Sequence, residues 1–190
     1  MLENLFKLVA ENAGESIVNN PAIPNEKNNE AIEYATQGIF EGLKNQVSQG
    51  NVSDLLKMFG GKNGTNGNNS LIENISGPIV KSLMAKFGLD SGAAAGIVQN
   101  LIPSVLDKLV SKTNDPNDSS FDINGIFNSL TGGKTSGLDI GSLVNKFNQA
   151  GGNDGFDLSD ITKMIGGSNQ DGGKTGGNDL INNISKLFGK

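Results

Sequence analysis

The fold is decided by the longest apolar helical pattern in the chain, Gly88-Leu-Asp-Ser-Gly-Ala-Ala-Ala-Gly-Ile-Val-Gln-Asn-Leu-Ile-Pro-Ser-Val-Leu-Asp-Lys-Leu-Val110. Its apolar residues recur at the three- and four-residue spacing of one helix face, which leaves little of the surface for water. Those residues are Ala94, Ile97, Val98, Leu101, Ile102, Val105, Leu106, Leu109 and Val110. A helix of this kind is normally surrounded by others. The sequence therefore predicts an all-α fold, a helical bundle centred on a long apolar helix over about residues 90–111.

A proline lies inside this central pattern. A proline in the middle of a helix costs about 3 kcal/mol unless the helix bends around it. We therefore expect the central helix to be kinked near Pro103, the alternative being two helices that meet at Asn100. We expect Asp90 or Ser91 to cap the start of the helix.

Further helices are predicted on the N-terminal side of this pattern. Two amphipathic helices are expected over about residues 2–18 and 26–48, separated by a segment that contains two prolines. A short helix follows over residues 52–59, for which Ser53 and Asp54 are the expected cap. Gly38 and Gly42 lie near the apolar stripe of the second helix, where glycine costs up to about 1 kcal/mol. Their use there indicates that a neighbouring helix approaches closely.

One pattern recurs after Lys112. It consists of an apolar residue, Asp, an aliphatic residue, further apolar residues at helical spacing, and then glycine. Copies occur over residues 121–133, 138–152 and 156–167, with looser copies over 178–188 and 53–61. Each copy predicts an Asp-capped amphipathic helix of two to three turns that ends at glycine. Such short helices are not stable alone in water, so they must dock on the core, on each other, on other copies or on a partner.

The distribution of glycine divides the chain in two. Residues 1–112 contain 12 of the 27 glycines, whereas the shorter remainder contains 15. We therefore predict a helical core domain over residues 1–112. The second predicted unit is a Gly/Asn/Asp-rich segment over 113–190, in which three to four short amphipathic helices are linked by glycine.

The composition excludes several kinds of chemistry. The chain has no Cys and no His, and all 15 basic residues are Lys. A disulfide, a zinc site, a thiol nucleophile and an imidazole base are therefore impossible. The net charge of −5 argues against a phosphate backbone as the main partner. We expect no enzymatic activity, no catalytic residues and no nucleic-acid partner.

The hydropathy of the chain bears on its location. No stretch reaches the roughly 18 continuous apolar residues that a membrane span needs. The first twelve residues contain acids and Asn where a secretory signal would need a basic start and an unbroken apolar run. We therefore expect a cytoplasmic protein without a membrane span.

Two Asp-rich loops, over residues 115–122 and 153–160, are candidate cation sites. Oxygen ligands are the only kind that the chain offers, and they suit calcium or magnesium. We expect no cofactor, with calcium as the one exception to test. The candidate ligands are Asp115, Asn117, Asp118, Asp122, Asp154 and Asp157. Neither loop fits the helix-loop-helix calcium pattern, because the first has Ser120 where Gly is required and Ile126 where Glu is required. Helix capping alone also explains Asp at helix starts.

Part of the chain resembles a known family. The residues that carry the resemblance are Phe87-Gly-Leu-Asp-Ser-Gly-Ala-Ala-Ala and Leu101-Ile-Pro-Ser-Val-Leu-Asp-Lys-Leu109, followed by the Gly-rich units. Together they resemble the YidB-like bacterial domain of unknown function, over roughly residues 70–190. The resemblance implies a small all-helical core without an established activity, and it assigns no site residues. The Asn-rich loops and the additional N-terminal helices depart from the family pattern.

The repeated short helices lead to the functional expectation. Their apolar faces favour a non-enzymatic interaction or scaffolding protein, in which the segment after Lys112 supports self-association or binds a protein partner. The alternative is a weak calcium-binding protein that uses the loops over 115–122 and 153–160.

Overall fold

The computed structural model describes residues 1–60 and 69–149. The described residues are predominantly helical and include no strand, which confirms the all-α class for that part of the chain. Seven α-helices follow in order: α1 Leu2–Asn12, α2 Asn28–Ser48, α3 Val52–Phe59, α4 Asn69–Phe87, α5 Ser91–Thr113, α6 Ile123–Leu130 and α7 Ile140–Gln149. The predicted helices over 156–167 and 178–188 lie outside the described residues.

Helix α2 packs against more of the described fold than α5 does. Helices α1, α3, α4 and α6 all contact α2, whereas α5 contacts α4, α1 and α3. One side of α5 is exposed through polar residues, namely Gln99, Asn100, Ser104, Asp107 and Lys108. The expectation that other helices surround α5 is therefore not met on its polar side, and a bundle centred on α5 stays a prediction.

Two prolines lie inside continuous helices. Pro103 is within α5 and Pro78 is within α4. The alternative of two helices that meet at Asn100 is therefore wrong, while the kink near Pro103 stays a prediction. Beside the proline, the Asn100 amide donates to the Gly96 carbonyl at 3.1 Å and the Ser104 hydroxyl donates to the Asn100 carbonyl at 2.9 Å. These bonds tie adjacent turns together where proline donates none.

Three of the predicted Asp caps are present. The carboxylate of Asp90 accepts from the backbone N–H of Ala93 at 2.9 Å and caps α5. Asp122 caps α6 by accepting from the N–H of Gly125 at 2.8 Å. In the same way, Asp139 accepts from the N–H of Ser142 at 2.9 Å, beside the start of α7.

The predicted cap of α3 is wrong. Helix α3 begins at Val52, so Asp54 lies in its first turn and pairs with Lys57 at 3.7 Å. The helix itself begins where it was predicted, but its N-cap position is Asn51, which makes no side-chain capping bond. The chain turns at Gly50, which has a φ of +84°, directly into the buried Val52. An apolar residue that the core can bury here outweighs the capping signal.

The helices after Lys112 dock on the helices before it. A single cluster of buried residues includes side chains from α1 to α5 and also from α6 and α7. The contributions from this later segment are Phe121, Ile126, Phe127, Leu130, Ile140, Leu143 and Val144. The domain boundary at residue 112 stays a prediction, but the repeat units that form α6 and α7 share the core of residues 1–112.

The two glycines of α2 lie where α4 crosses it. A Cβ atom at Gly42 would lie 2.9 Å from Cγ2 and 3.2 Å from Cα of Ile75. A Cβ atom at Gly38 would overlap the side chain of Ile79. The predicted close approach of a neighbouring helix is therefore confirmed, and that helix is α4.

Replacement of Gly42 by alanine should destabilise the protein. The added methyl group overpacks the contact with Ile75, which typically costs about 1–3 kcal/mol, while the gain in helix propensity is only up to about 1 kcal/mol. We expect a lower midpoint of urea unfolding, followed by circular dichroism.

The matched control is Gly96→Ala in α5, where no atom lies within 4 Å of the added Cβ. This variant should gain about 0.5–1 kcal/mol from helix propensity. Equal stability of the two variants would contradict the close packing of α2 on α4.

Candidate functional site

The loop between α5 and α6 contains four of the six predicted cation ligands. The carboxylate of Asp115 accepts from the backbone N–H of Asn117 at 2.9 Å. The carboxylate of Asp118 accepts from the backbone N–H of Ser120 at 2.9 Å and also from the Ser120 hydroxyl. Each of these three bonds links an Asp to the residue two places further on, which is the usual way that Asp stabilises a turn.

An ion pair joins this loop to the end of α5. The ammonium of Lys112 donates to Oδ2 of Asp118 at 2.9 Å. The Ser120 hydroxyl, the Lys112 ammonium and the Ser120 backbone N–H together lower the pKa of Asp118 from 3.8 to about 2. The hydrogen bond between Lys112 and Asp118 also raises the pKa of Lys112 above its ordinary value. The loop therefore holds a carboxylate that stays ionised well into acid.

The four candidate ligands of this loop do not converge. Asp122 caps α6, while Asp118 is occupied by Lys112 and Ser120. Among residues 1–60 and 69–149, no group of three or more Asp or Glu side chains lies close enough to hold a metal ion. A cation in this loop would have to displace Lys112 and the turn donors. Asp154 and Asp157 lie outside the described residues, so calcium binding stays a prediction.

Helix α1 lies beside the loop. The side-chain amide of Asn4 donates to the carbonyl of Ser120 at 2.6 Å. Two adjoining surface clefts of about 170 and 230 Å³ share Ser120 and Phe121. The first is also lined by Asn4, Lys7, Leu8, Glu11 and Lys112. Both clefts are smaller than the roughly 300–1,000 Å³ of typical small-molecule sites.

The sequence gives no signal for this arrangement. Asn4 and Ser120 are 116 residues apart, and no periodicity links a residue of α1 to a loop after α5. Both lysines of the first cleft are paired, Lys7 with Glu3 at 2.9 Å and Lys112 with Asp118. The first cleft therefore offers no unpaired lysine to an anion.

The repeat units themselves form a second candidate site, at the buried contacts between them. In each of α3, α6 and α7, the residues four and five places after the pattern's Asp are buried; they are Met58 and Phe59, Ile126 and Phe127, and Leu143 and Val144. Helix α7 packs against both α3 and α6. The rings of Phe59 and Phe127 meet edge to face, with centroids 5.9 Å apart. The repeat units therefore pack on one another inside the fold.

Two polar contacts hold these repeat units in place. The side-chain carbonyl of Asn124 in α6 accepts from the backbone N–H of Ile140, the first residue of α7, at 2.7 Å. The side-chain amide of Asn114 donates to the carbonyl of Phe59 at the end of α3 at 3.0 Å. Each bond satisfies a backbone group at a helix terminus, which has no partner within its own helix.

Comparison of the chain with models of protein families, with curated proteins and with solved structures gives no match. The resemblance to the YidB-like family stays a prediction, as does the cytoplasmic location. Within the described ranges, no helix combines the length and the hydropathy needed to cross a membrane.

We predict that Asp118→Asn lowers stability at neutral pH and that the difference from the wild type disappears in acid. Because the native state lowers the pKa of Asp118 to about 2, the unfolded state binds the proton more readily, and stability falls as the pH drops. The loss should occur as the pH falls from 3.8 through about 2. Urea unfolding at several pH values measures it.

The control is Asp115→Asn, which removes the same charge from the same loop. Its carboxylate accepts from Asn117, so the substitution leaves the bond between Lys112 and Asp118 in place. If both variants showed the same change of stability with pH, the bonds of Asp118 to Ser120 and Lys112 would not be the cause.

Proposed function

We propose that this protein is a non-enzymatic scaffold that assembles with further copies of itself through its Asp-initiated repeat helices. The observation that carries the proposal is the packing of α3, α6 and α7, three copies of the pattern, on one another. A repeat unit in this chain is thus complementary to other repeat units.

The contacts within the fold indicate how two repeat units recognise each other. The aromatic residue five places after Asp in α3 meets its counterpart in α6, as Phe59 and Phe127. Such an edge-to-face pair contributes about 0.5–1.5 kcal/mol beyond the area it buries. Helix α7 adds Leu143 and Val144 to the same cluster. Recognition therefore depends on the apolar positions of the repeat.

A related spacing, with one of the two buried positions apolar in each unit, recurs in the sequence beyond residue 149. Asp157 is followed by Leu158 and Ile161 at the first and fourth places, and Asp179 by Leu180 and Ile184 at the first and fifth. The short helices that the sequence predicts for these units would need a second apolar surface to be stable. We therefore expect the apolar residues of these units to bind another copy of the chain.

The described part of the protein supports a second copy as the partner. Among residues 1–60 and 70–146, the only large hydrophobic side chains that are exposed are Leu2 at 45% and Val18 at 41%. Few large apolar side chains of this part are therefore fully exposed to the two further helices that the sequence predicts. Repeat units of another chain offer the complementary pattern, and two such chains bury both sets of apolar residues.

Replacing apolar residues of the repeat unit over residues 156–167 should weaken assembly of the full chain. We expect wild-type protein to show a mass above that of a monomer in light scattering, rising with concentration. The double variant Leu158→Asn/Ile161→Asn should shift the mass towards that of a monomer, because it removes two positions that correspond to Ile140 and Leu143, which α7 buries.

The matched control is Asp160→Asn in the same unit. It lies three places after Asp157, a position that is exposed in α6 at Gly125 and in α7 at Ser142. This variant should assemble like the wild type. A wild-type chain that stays monomeric at every concentration, or a double variant that assembles normally, would contradict the proposal.

A further inference from the structure

The start of α6 contains the dipeptide Asn124-Gly125. Because glycine has no side chain, its backbone nitrogen can approach the side-chain carbonyl of a preceding Asn more freely than that of any other residue. We propose that Asn124 is a site of spontaneous deamidation, with water as the only co-reactant, and that opening of α6 controls its rate. The inference does not depend on the proposed function.

The reaction proceeds in two steps. The Gly125 nitrogen loses its proton and bonds to Cγ of Asn124, while the bond from Cγ to Nδ2 breaks and ammonia leaves. Water then opens the resulting succinimide at one of its two carbonyl groups. One opening gives aspartate, and the other gives isoaspartate, in which the backbone runs through Cβ. The net change is the consumption of one water and the release of one ammonia.

Both reacting groups are held in other hydrogen bonds in the folded protein. The backbone N–H of Gly125 donates to Oδ2 of Asp122 at 2.8 Å. The side-chain carbonyl of Asn124 accepts from the N–H of Ile140 at 2.7 Å, which directs it towards α7. Attack requires the Gly125 nitrogen to turn towards Cγ of Asn124. The closed helix therefore prevents the reaction, and opening permits it.

The position of the site makes such opening accessible. Helix α6 has only eight residues, and both Asp122 and Gly125 at its start are exposed. Short exposed helix ends open at a lower free energy than the whole protein unfolds. Each opening gives the Gly125 nitrogen an opportunity to react, so modification accumulates at a rate set by the fraction of open molecules.

The isoaspartate product changes the structure around it. Its additional backbone carbon shifts the hydrogen-bond register of α6, so the first turn cannot close as before. The acceptor for the N–H of Ile140 then moves away from the start of α7. Modification therefore weakens the contact between α6 and α7 irreversibly, and its extent increases with the age of the molecule.

The test is peptide mass spectrometry of the full chain after incubation at neutral pH, folded in buffer and unfolded in urea. We expect the Asn124 peptide to gain the mass of deamidation at least about tenfold more slowly in the folded protein. Asp122→Ala should raise the rate in the folded protein about two- to thirtyfold, the range that corresponds to loss of an N-cap. The rate in urea should not change.

Two controls separate the chemistry from the conformation. Gly125→Ala should slow the reaction in both states, because a side chain hinders the attacking nitrogen. Asp115→Ala, in the same loop but bonded to Asn117 rather than to Gly125, should leave the rate in the folded protein unchanged. Equal rates in buffer and in urea would overturn the proposal, as would an Asp122→Ala protein that is folded but not faster.

A measurement on the wild type covers the case in which Asp122→Ala does not fold. Low concentrations of urea, below the unfolding transition, raise the open fraction gradually. Hydrogen exchange at the Gly125 N–H and deamidation of Asn124 should then increase in parallel. A deamidation rate that did not follow exchange would refute control by α6 opening.

Discussion

The close contact of α2 with α4 is the constraint on which the remaining helices depend. At Gly42, the backbone of α2 comes so near Ile75 that no side chain can be added without displacement. This contact fixes α4 against α2, and α4 in turn packs against α5. Helices α1 and α3 contact both α2 and α5. A change in the distance between α2 and α4 would therefore also change the packing of α1 and α3. Two glycines that reduce helix propensity thus determine how the bundle is assembled.

The repeat units form a second layer that depends on the first. Helix α3 follows α2 after a single turn, so the position of α2 also places Phe59. Phe59 then supplies the edge-to-face contact for Phe127, and α7 packs against α3 and α6 together. The pattern of Asp followed by apolar residues is therefore used inside the fold as a docking element. Its recurrence in the sequence beyond residue 149 is the basis on which we propose contacts between chains.

The sequence predicts local structure well where one interaction decides it. Helix spacing, the caps at Asp90, Asp122 and Asp139, and the close approach at Gly42 all follow from neighbouring residues or from glycine itself. The set of helices that contact α2 does not follow, because hydrophobic content identifies an apolar helix but not the number of its neighbours. The bond from Asn4 to Ser120 has no local signal at all. Asp54 shows the opposite case. Its capping motif is present in the sequence, but burial of Val52 decides where the helix begins, so Asp54 does not cap it.

The Asp residues after α5 illustrate how the same side chain can suggest two functions. A carboxylate near a helix start can bind a cation or accept from backbone N–H groups. The sequence shows where the carboxylates are, but not which donors they contact. In the loop before α6, the donors are supplied within two or three residues of each Asp, and Lys112 adds a positive charge beside Asp118. A cation there would have to replace bonds that already satisfy the loop backbone. Local donors therefore favour turn formation and capping in this loop, and the functional interest of the repeat moves from its Asp to the apolar residues that follow.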